Sequence, residues 1–243
     1  MQAPLQVQIF IPCFIDQLYP QTAFNMIKVL EKGGCEVLYP PNQTCCGQPA
    51  YNAGYFADAR PVCKKWLHDF EGSDYIVCPS ASCTGFIRNY YQRFFADGSD
   101  YHLLKSVTSR LYEFAEFLTN VLGREQWGAE LNAVAVYHDS CAGLRECKIK
   151  EEPRRLLGNV QGLQLHEMAD TDTCCGFGGT FAIKYEAISV AMADQKINHA
   201  MAAGAEYIIS TDTSCLMHLD GCIRNKGLGL KTMHLADVLA SGW

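Results

Sequence analysis

Thr44-Cys45-Cys46-Gly47-Gln48-Pro49 has a counterpart in the second half of the chain, Cys174-Cys175-Gly176-Phe177-Gly178-Gly179. The residues around the two turns fall into register. Cys13 stands 32 positions before Cys45, and Cys141 stands 33 positions before Cys174. Downstream, Cys78-Pro79-Ser80-Ala81-Ser82-Cys83 puts a cysteine 37 positions after Cys46, and Ser210-Thr211-Asp212-Thr213-Ser214-Cys215 puts one 40 positions after Cys175. The flanks agree. Val7–Pro12 leads into Cys13 as the apolar run Val134–Tyr137 leads into Cys141, and Asp74-Tyr75-Ile76-Val77 parallels Glu206-Tyr207-Ile208-Ile209. Matches at several sites in one register identify a tandem duplication.

Working outward from the turns, short apolar runs alternate with helical patterns. In the first half these are strands at Val7–Ile11, Glu36–Tyr39 and Tyr75–Val77, with helices over Gln21–Lys32, Gly54–Phe70 and Thr84–Phe95. The second half repeats the order, with helices near Glu152–Leu157 and Tyr185–Ala203. Each half closes on an amphipathic stretch, Leu111–Leu118 and Met233–Leu239. This alternation predicts an α/β fold of two tandem, pseudo-symmetric βαβ halves with parallel-sheet cores. The cysteines then fall after the C-terminal ends of strands, where open α/β sheets place their ligand crevice. No Pro-, Gly- or Ser-rich linker intervenes, so two packed domains are expected, residues 1–126 and 127–243, with a seam near Gly123–Glu130.

The chemistry follows from the thiols. Thirteen of 243 residues are cysteine, an odd number in a long, regularly patterned chain, which argues against a secreted disulfide scaffold. Adjacent cysteines seldom bond to each other, but on one turn both can face a common pocket, and the glycine lets an inorganic group approach the backbone. The candidate donors are Cys13, Cys45, Cys46 and Cys83, with Cys78 as a possible fifth, and Cys141, Cys174, Cys175 and Cys215. All-thiolate sites suit iron–sulfur clusters or zinc. Short Cys-x-x-Cys knuckles and ferredoxin-type runs are both missing, so donors must come from separate strand ends. A net charge of −6 without a basic run argues against nucleic acid, and no apolar stretch is long enough to span a bilayer. The first basic residue is Lys28, so no secretory leader is expected and the cytoplasm is the expected compartment.

These motifs, together with Pro12-Cys13, Tyr137-His138-Asp139-Ser140-Cys141 and Thr213-Ser214-Cys215-Leu216-Met217-His218-Leu219, resemble the CCG (cysteine-rich) domain family over essentially the whole chain. That family includes the B subunit of heterodisulfide reductase and iron–sulfur subunits of glycolate and glycerol-3-phosphate oxidation systems; its two-domain lactate-utilisation group is the nearest in pattern. The resemblance implies one or two 4Fe–4S clusters and a place as an electron-transfer subunit in a multi-protein system oxidising L-lactate to pyruvate. It also implies partner subunits, including a ferredoxin-like iron–sulfur protein, that supply part or all of catalysis. Glycolate is the rival hydroxy-acid substrate, and a zinc-holding scaffold without redox activity is the rival function. Ser210 departs from the pattern where the first half has Cys78, which makes the two sites unequal, with an altered cluster or zinc expected in the first and a 4Fe–4S centre in the second.

Other residues carry plainer expectations. Cys35, Cys63, Cys147 and Cys222 have no counterpart in the other half and read as small buried hydrophobes. His138 is the candidate for proton transfer or for a hydrogen bond to cluster sulfur, set against a histidine that only satisfies its loop. Arg145 can hold a carboxylate, but a surface ion pair is the simpler expectation. His218 reads as a neighbour of the second site. Tyr90–Phe95 reads as a buried helix face. Gly176-Phe177-Gly178-Gly179 lacks a full dinucleotide fingerprint.

Overall fold

A computed structural model describes residues 4–96 and 98–243. Among the described residues, eight strands form two four-stranded sheets. In the first half they are β1 (Leu5–Ile9), β2 (Cys35–Leu38), β3 (Tyr75–Cys78) and β4 (Leu111–Glu113); in the second, β5 (Glu130–Tyr137), β6 (Gln161–His166), β7 (Tyr207–Ser210) and β8 (Lys231–His234). The orders are β2-β1-β3-β4 and β6-β5-β7-β8, and every pairing is parallel. The fold is therefore α/β with two tandem βαβ halves.

The registers of the two sheets coincide. Val7 pairs with Tyr75 as Ala135 pairs with Tyr207, and Cys78 pairs with Glu113 as Ser210 pairs with His234. Beyond the strand ends, Phe10 donates its N–H to Val77 O at 3.0 Å and His138 donates to Ile209 O at 2.8 Å. The backbone thus places Phe10 on His138, Ile11 on Asp139, Pro12 on Ser140 and Cys13 on Cys141.

One apolar core joins the sheets. Val7, Ile9, Leu30 and Phe114 of the first half pack in the same cluster as Ala135, Leu156, Ile209 and Val238 of the second. Burying each large aliphatic side chain contributes about 1.5–3 kcal/mol, so the contact is part of the fold. Beneath the first site lies an aromatic cluster with Phe10, Trp66, Phe70, Phe86 and Tyr91. The corresponding cluster of the second half is built on aliphatics such as Ala193, Ile197, Ala200 and Leu219.

Two local expectations change. The closing stretches are each a short strand leading into a helix, because Glu113 and His234 end β4 and β8 as N-caps. The Glu113 side chain accepts from Ala115 N and Glu116 N, and His234 Nδ1 accepts from Ala236 N. The helix expected over Thr84–Phe95 starts earlier, at Ala81, where Ser80 caps Cys83 N, and it is interrupted at Tyr91 before a short helix Gln92–Phe95. Tyr91 and Phe95 are buried as the helix-face reading requires, whereas Gln92 and Arg93 are exposed.

Candidate metal centres

In the first half, three strand ends deliver the thiols. Cys13 opens the helix Cys13–Leu18 after β1, Cys45 and Cys46 follow β2, and Cys83 lies in the first turn of the helix Ala81–Tyr90 after β3. Cys13 Sγ and Cys45 Sγ are 4.0 Å apart, and Cys46 Sγ and Cys83 Sγ are 3.5 Å apart. Gly47 makes the turn at φ +89°, a left-handed conformation that only glycine adopts without strain, and its N–H donates to Cys45 Sγ at 3.4 Å. Hydrogen bonds from Cys13 and Cys46, together with the Gly47 N–H, lower the Cys45 pKa to about 3, while the same contacts and burial raise Cys13 and Cys46. The turn therefore favours a thiolate, the form that ligates metal. Cys78 is fully buried with its Sγ on Ser80 O at 3.6 Å.

The second half repeats the cradle. Cys141 precedes the π-helical segment Ala142–Cys147, Cys174 and Cys175 follow β6, and Cys215 lies in the first turn of the helix Thr213–Asn225. Gly176 turns at φ +93° and donates to Cys174 Sγ at 3.4 Å, the same distance as in the first turn. Hydrogen bonds from Cys141 and Cys175 lower the Cys174 pKa to about 2. Cys175 and Cys215 are 2% and 7% exposed.

What stands behind the thiols differs. The Nδ1 or Nε2 of His138 and the sulfurs of Cys175 and Cys215 all lie within 4.8 Å of one another. His138 is wholly buried, and neither ring nitrogen has a hydrogen-bond partner among the described residues. Burial pushes its pKa down to about 3, so the ring is neutral, with one N–H and one lone pair to offer. Leaving both idle in the interior costs about 1–3 kcal/mol each, and a group seated among the thiols would use them. The donor set, four converging thiols and an unpartnered imidazole, fits a bound metal or cluster.

A second polar residue backs this site without any sequence motif. A Cβ on Gly47 would meet Ala59 O and Val62, and one on Gly176 would meet Ser189 O and Met192, so the underlying helices superpose with Trp66 on Lys196. Lys196 is 1% exposed, and its ammonium donates to Asp170 O and to Thr171 O (3.0 Å), in the loop before the second turn. Its charge acts on both His138 and Cys175. The signal that could have found it is register: a lysine interrupts the apolar side of the helix Glu186–Ala202.

The remaining candidates resolve individually. Asp139 is 2% exposed and takes a bidentate pair from Arg154 at 2.9 and 2.8 Å, and Arg154 also holds Glu167. Arg145, expected in a surface ion pair, has none among the described residues. His218 Nε2 lies 3.1 Å from Ser189 Oγ, which donates to Gly176 O, so His218 braces the second turn. Cys35, Cys63 and Cys147 are buried, and Cys222 is partly so.

Two parallel sheets, each carrying four thiols at its strand ends around a Cys-Cys-Gly turn, define a tandem cysteine-rich protein. The chain belongs to the CCG cysteine-rich domain family, whose sequence model matches residues 7–88 and 135–220. It is similar to "Lactate utilization protein A 2" of Bacillus cereus (strain 03BB102), with 42% identity over 239 residues, 98% of this chain and 99% of that protein. "Lactate utilization protein A" of Geobacillus sp. (strain WCH70) is 40% identical over 237 residues, 98% of this chain and all of that protein. Among solved structures, that of a hypothetical protein from Helicobacter pylori matches with a TM-score of 0.64 at 12% identity; the chain is covered in full and spans half the length of that protein. This last likeness concerns the fold alone.

Proposed function

We propose that the chain is an iron–sulfur electron-transfer subunit of a multi-protein system that oxidises a 2-hydroxy acid, L-lactate to pyruvate. The observation that carries this reading is the repeated convergence of four thiols from three strand ends. The names of the relatives support the substrate, and glycolate is its rival. Cys13, Cys45, Cys46 and Cys83 would hold one cluster and Cys141, Cys174, Cys175 and Cys215 the other, in domains 1–126 and 127–243, with Cys78 held in reserve behind the first. When bound, a 4Fe–4S cluster supplies one-electron acceptance, so two match the two electrons released as lactate becomes pyruvate.

The chain's own residues set the conditions. The Gly47 and Gly176 N–H groups donate to sulfur, the aromatic cluster keeps water from Cys46 and Cys83 as the aliphatic one does from Cys175 and Cys215, and His138 and Lys196 place a donor and a positive charge behind the second site. No ferredoxin-type motif is present, so a ferredoxin-like partner would relay the electrons. Among the described residues no helix is long and apolar enough to cross a membrane, and thiolate ligands fit a reducing compartment such as the cytoplasm.

The His138–Cys175–Cys215 trio also suits zinc, which makes a structural zinc site the second reading. Iron, acid-labile sulfide and zinc content of anaerobically prepared wild type and Cys174→Ser separates the two. About four to eight irons with matching sulfide, reduced in the variant, support the cluster. Stoichiometric zinc without sulfide after anaerobic reconstitution excludes it.

A further inference from the structure

The pseudo-symmetric packing of the halves creates two equivalent grooves that are filled differently. In one, the helix Cys13–Leu18 packs on Thr213–Asn225; in the other, Ala142–Cys147 packs on Ala81–Tyr90. The register carries Phe14 onto Ala142, Phe177 onto Gln48 and His218 onto Phe86. In the first groove Phe14 and Phe177 meet edge to face at 5.7 Å, and Phe177 lies 6.2 Å from the His218 ring. In the second groove Ala142 and Gln48 leave a cavity of about 450 Å³.

The open groove lies between the two candidate centres, since Cys141 lines it from one and Gln48 follows the Cys45-Cys46-Gly47 turn of the other. Two guanidiniums face it. Arg145 has no ion pair among the described residues, and Arg93 lies over the rings of Tyr51 (5.7 Å) and Tyr90 (5.5 Å). Gln48 and Asn52 add amides, and the Tyr51 hydroxyl is buried without a partner among the described residues. Glu146 also lines the cavity, but its oxygens already accept from Tyr90 Oη at 2.9 Å and Asn89 Nδ2 at 3.0 Å.

We infer that this cavity binds a small 2-hydroxy- or 2-oxocarboxylate, with Arg145 taking the carboxylate as a bidentate pair and the Gln48 and Asn52 amides meeting the 2-oxygen. The choice of acid rests on the proposed function. Binding itself follows from the groove, and the volume exceeds a three-carbon acid, so charge and amides decide recognition more than shape.

The test is isothermal titration of L-lactate, pyruvate and the uncharged control lactamide into the full-length chain, with iron and sulfide measured on the same samples. Wild type, Arg145→Ala and Arg145→Lys are compared. Saturable binding of both acids but not lactamide is expected, weakened about tenfold or more in Arg145→Ala and less in Arg145→Lys, with unchanged iron and sulfide. Lack of saturable binding to wild type, or equal binding by Arg145→Ala, overturns the site. If the samples hold iron and sulfide, that failure leaves the electron-transfer reading standing. Zinc without sulfide in samples that bind the acids removes the electron-transfer reading and leaves the site.

Discussion

Behind the first Cys-Cys-Gly turn, Trp66 stacks on Phe70 at 4.6 Å and meets Phe10 edge to face at 5.2 Å. Behind the second turn, the same two backbone positions hold Lys196 and His138, both buried. Ile11 of the first half likewise becomes Asp139, locked to Arg154. The duplication has kept the thiols and the glycine turn while exchanging an apolar backing for a polar one. A cluster's ligands fix where it sits; the groups around it set its potential, so one cradle can serve two potentials.

The comparison breaks most visibly at the candidate ligands. Cys46→Ala and Cys175→Ala should each abolish metal at their own half and leave the other, read as about half of the iron and sulfide lost per chain. Loss of all iron in either variant would mean one shared site.

Next in size is the ion pair that only the second half carries. Arg154→Ala strands the Asp139 carboxylate in the interior and should cost about 3–5 kcal/mol in denaturant unfolding. Replacing both partners together, with Asp139→Ile after the first half and Arg154→Met, should recover most of that loss.

The two glycines differ as well. A Cβ on Gly176 would stand 2.4 Å from the Ser189 carbonyl oxygen, whereas one on Gly47 would meet the Cys63 sulfur at 2.9 Å. Both alanine variants carry the strain of positive φ, about 1–3 kcal/mol. Gly176→Ala should cost more, because a backbone oxygen yields less readily than a side chain. Equal melting temperatures for the two would contradict this packing.

The smallest effects lie in pH. Burial raises Glu113 to about 8, so it is held neutral in the fold. Its stabilising contribution is full below its ordinary pKa of 4.5 and erodes as pH rises toward 8. Burial lowers His234 below its ordinary 6.5, so its contribution is full above 6.5 and is lost as pH falls. Glu113→Gln should therefore flatten stability against pH on the alkaline side and His234→Gln on the acid side, with unfolding curves from pH 5 to 8.5 as the readout.

Much of this was legible in the sequence. The spacing of Cys13, Cys45, Cys46 and Cys83 and its repeat gave the duplication, and the strands before the cysteines gave the parallel sheets. β4 and β8 were not legible: three- and four-residue strands fused to a helix share the pattern of an amphipathic stretch, and only the capping Glu113 and His234 mark the break. The polar backing was legible only in part: His138 stood out by its place before Cys141, while Lys196 did not. The contrast of His138 with Phe10 needs the hydrogen bond to Ile209, and Lys196 emerges only when the helices superpose on Trp66. Arg145 pointed to an ordinary ion pair because Ala142 and Gln48 reveal a groove only against Phe14 and Phe177.

The inequality of the two centres is tested most directly by a potentiometric titration followed by electron paramagnetic resonance on wild type, His138→Phe and Lys196→Met. Two one-electron transitions are predicted in wild type, and the higher should move down by on the order of tens of millivolts in both variants while the lower stays in place. A single transition, or a higher transition indifferent to both substitutions, would contradict the account.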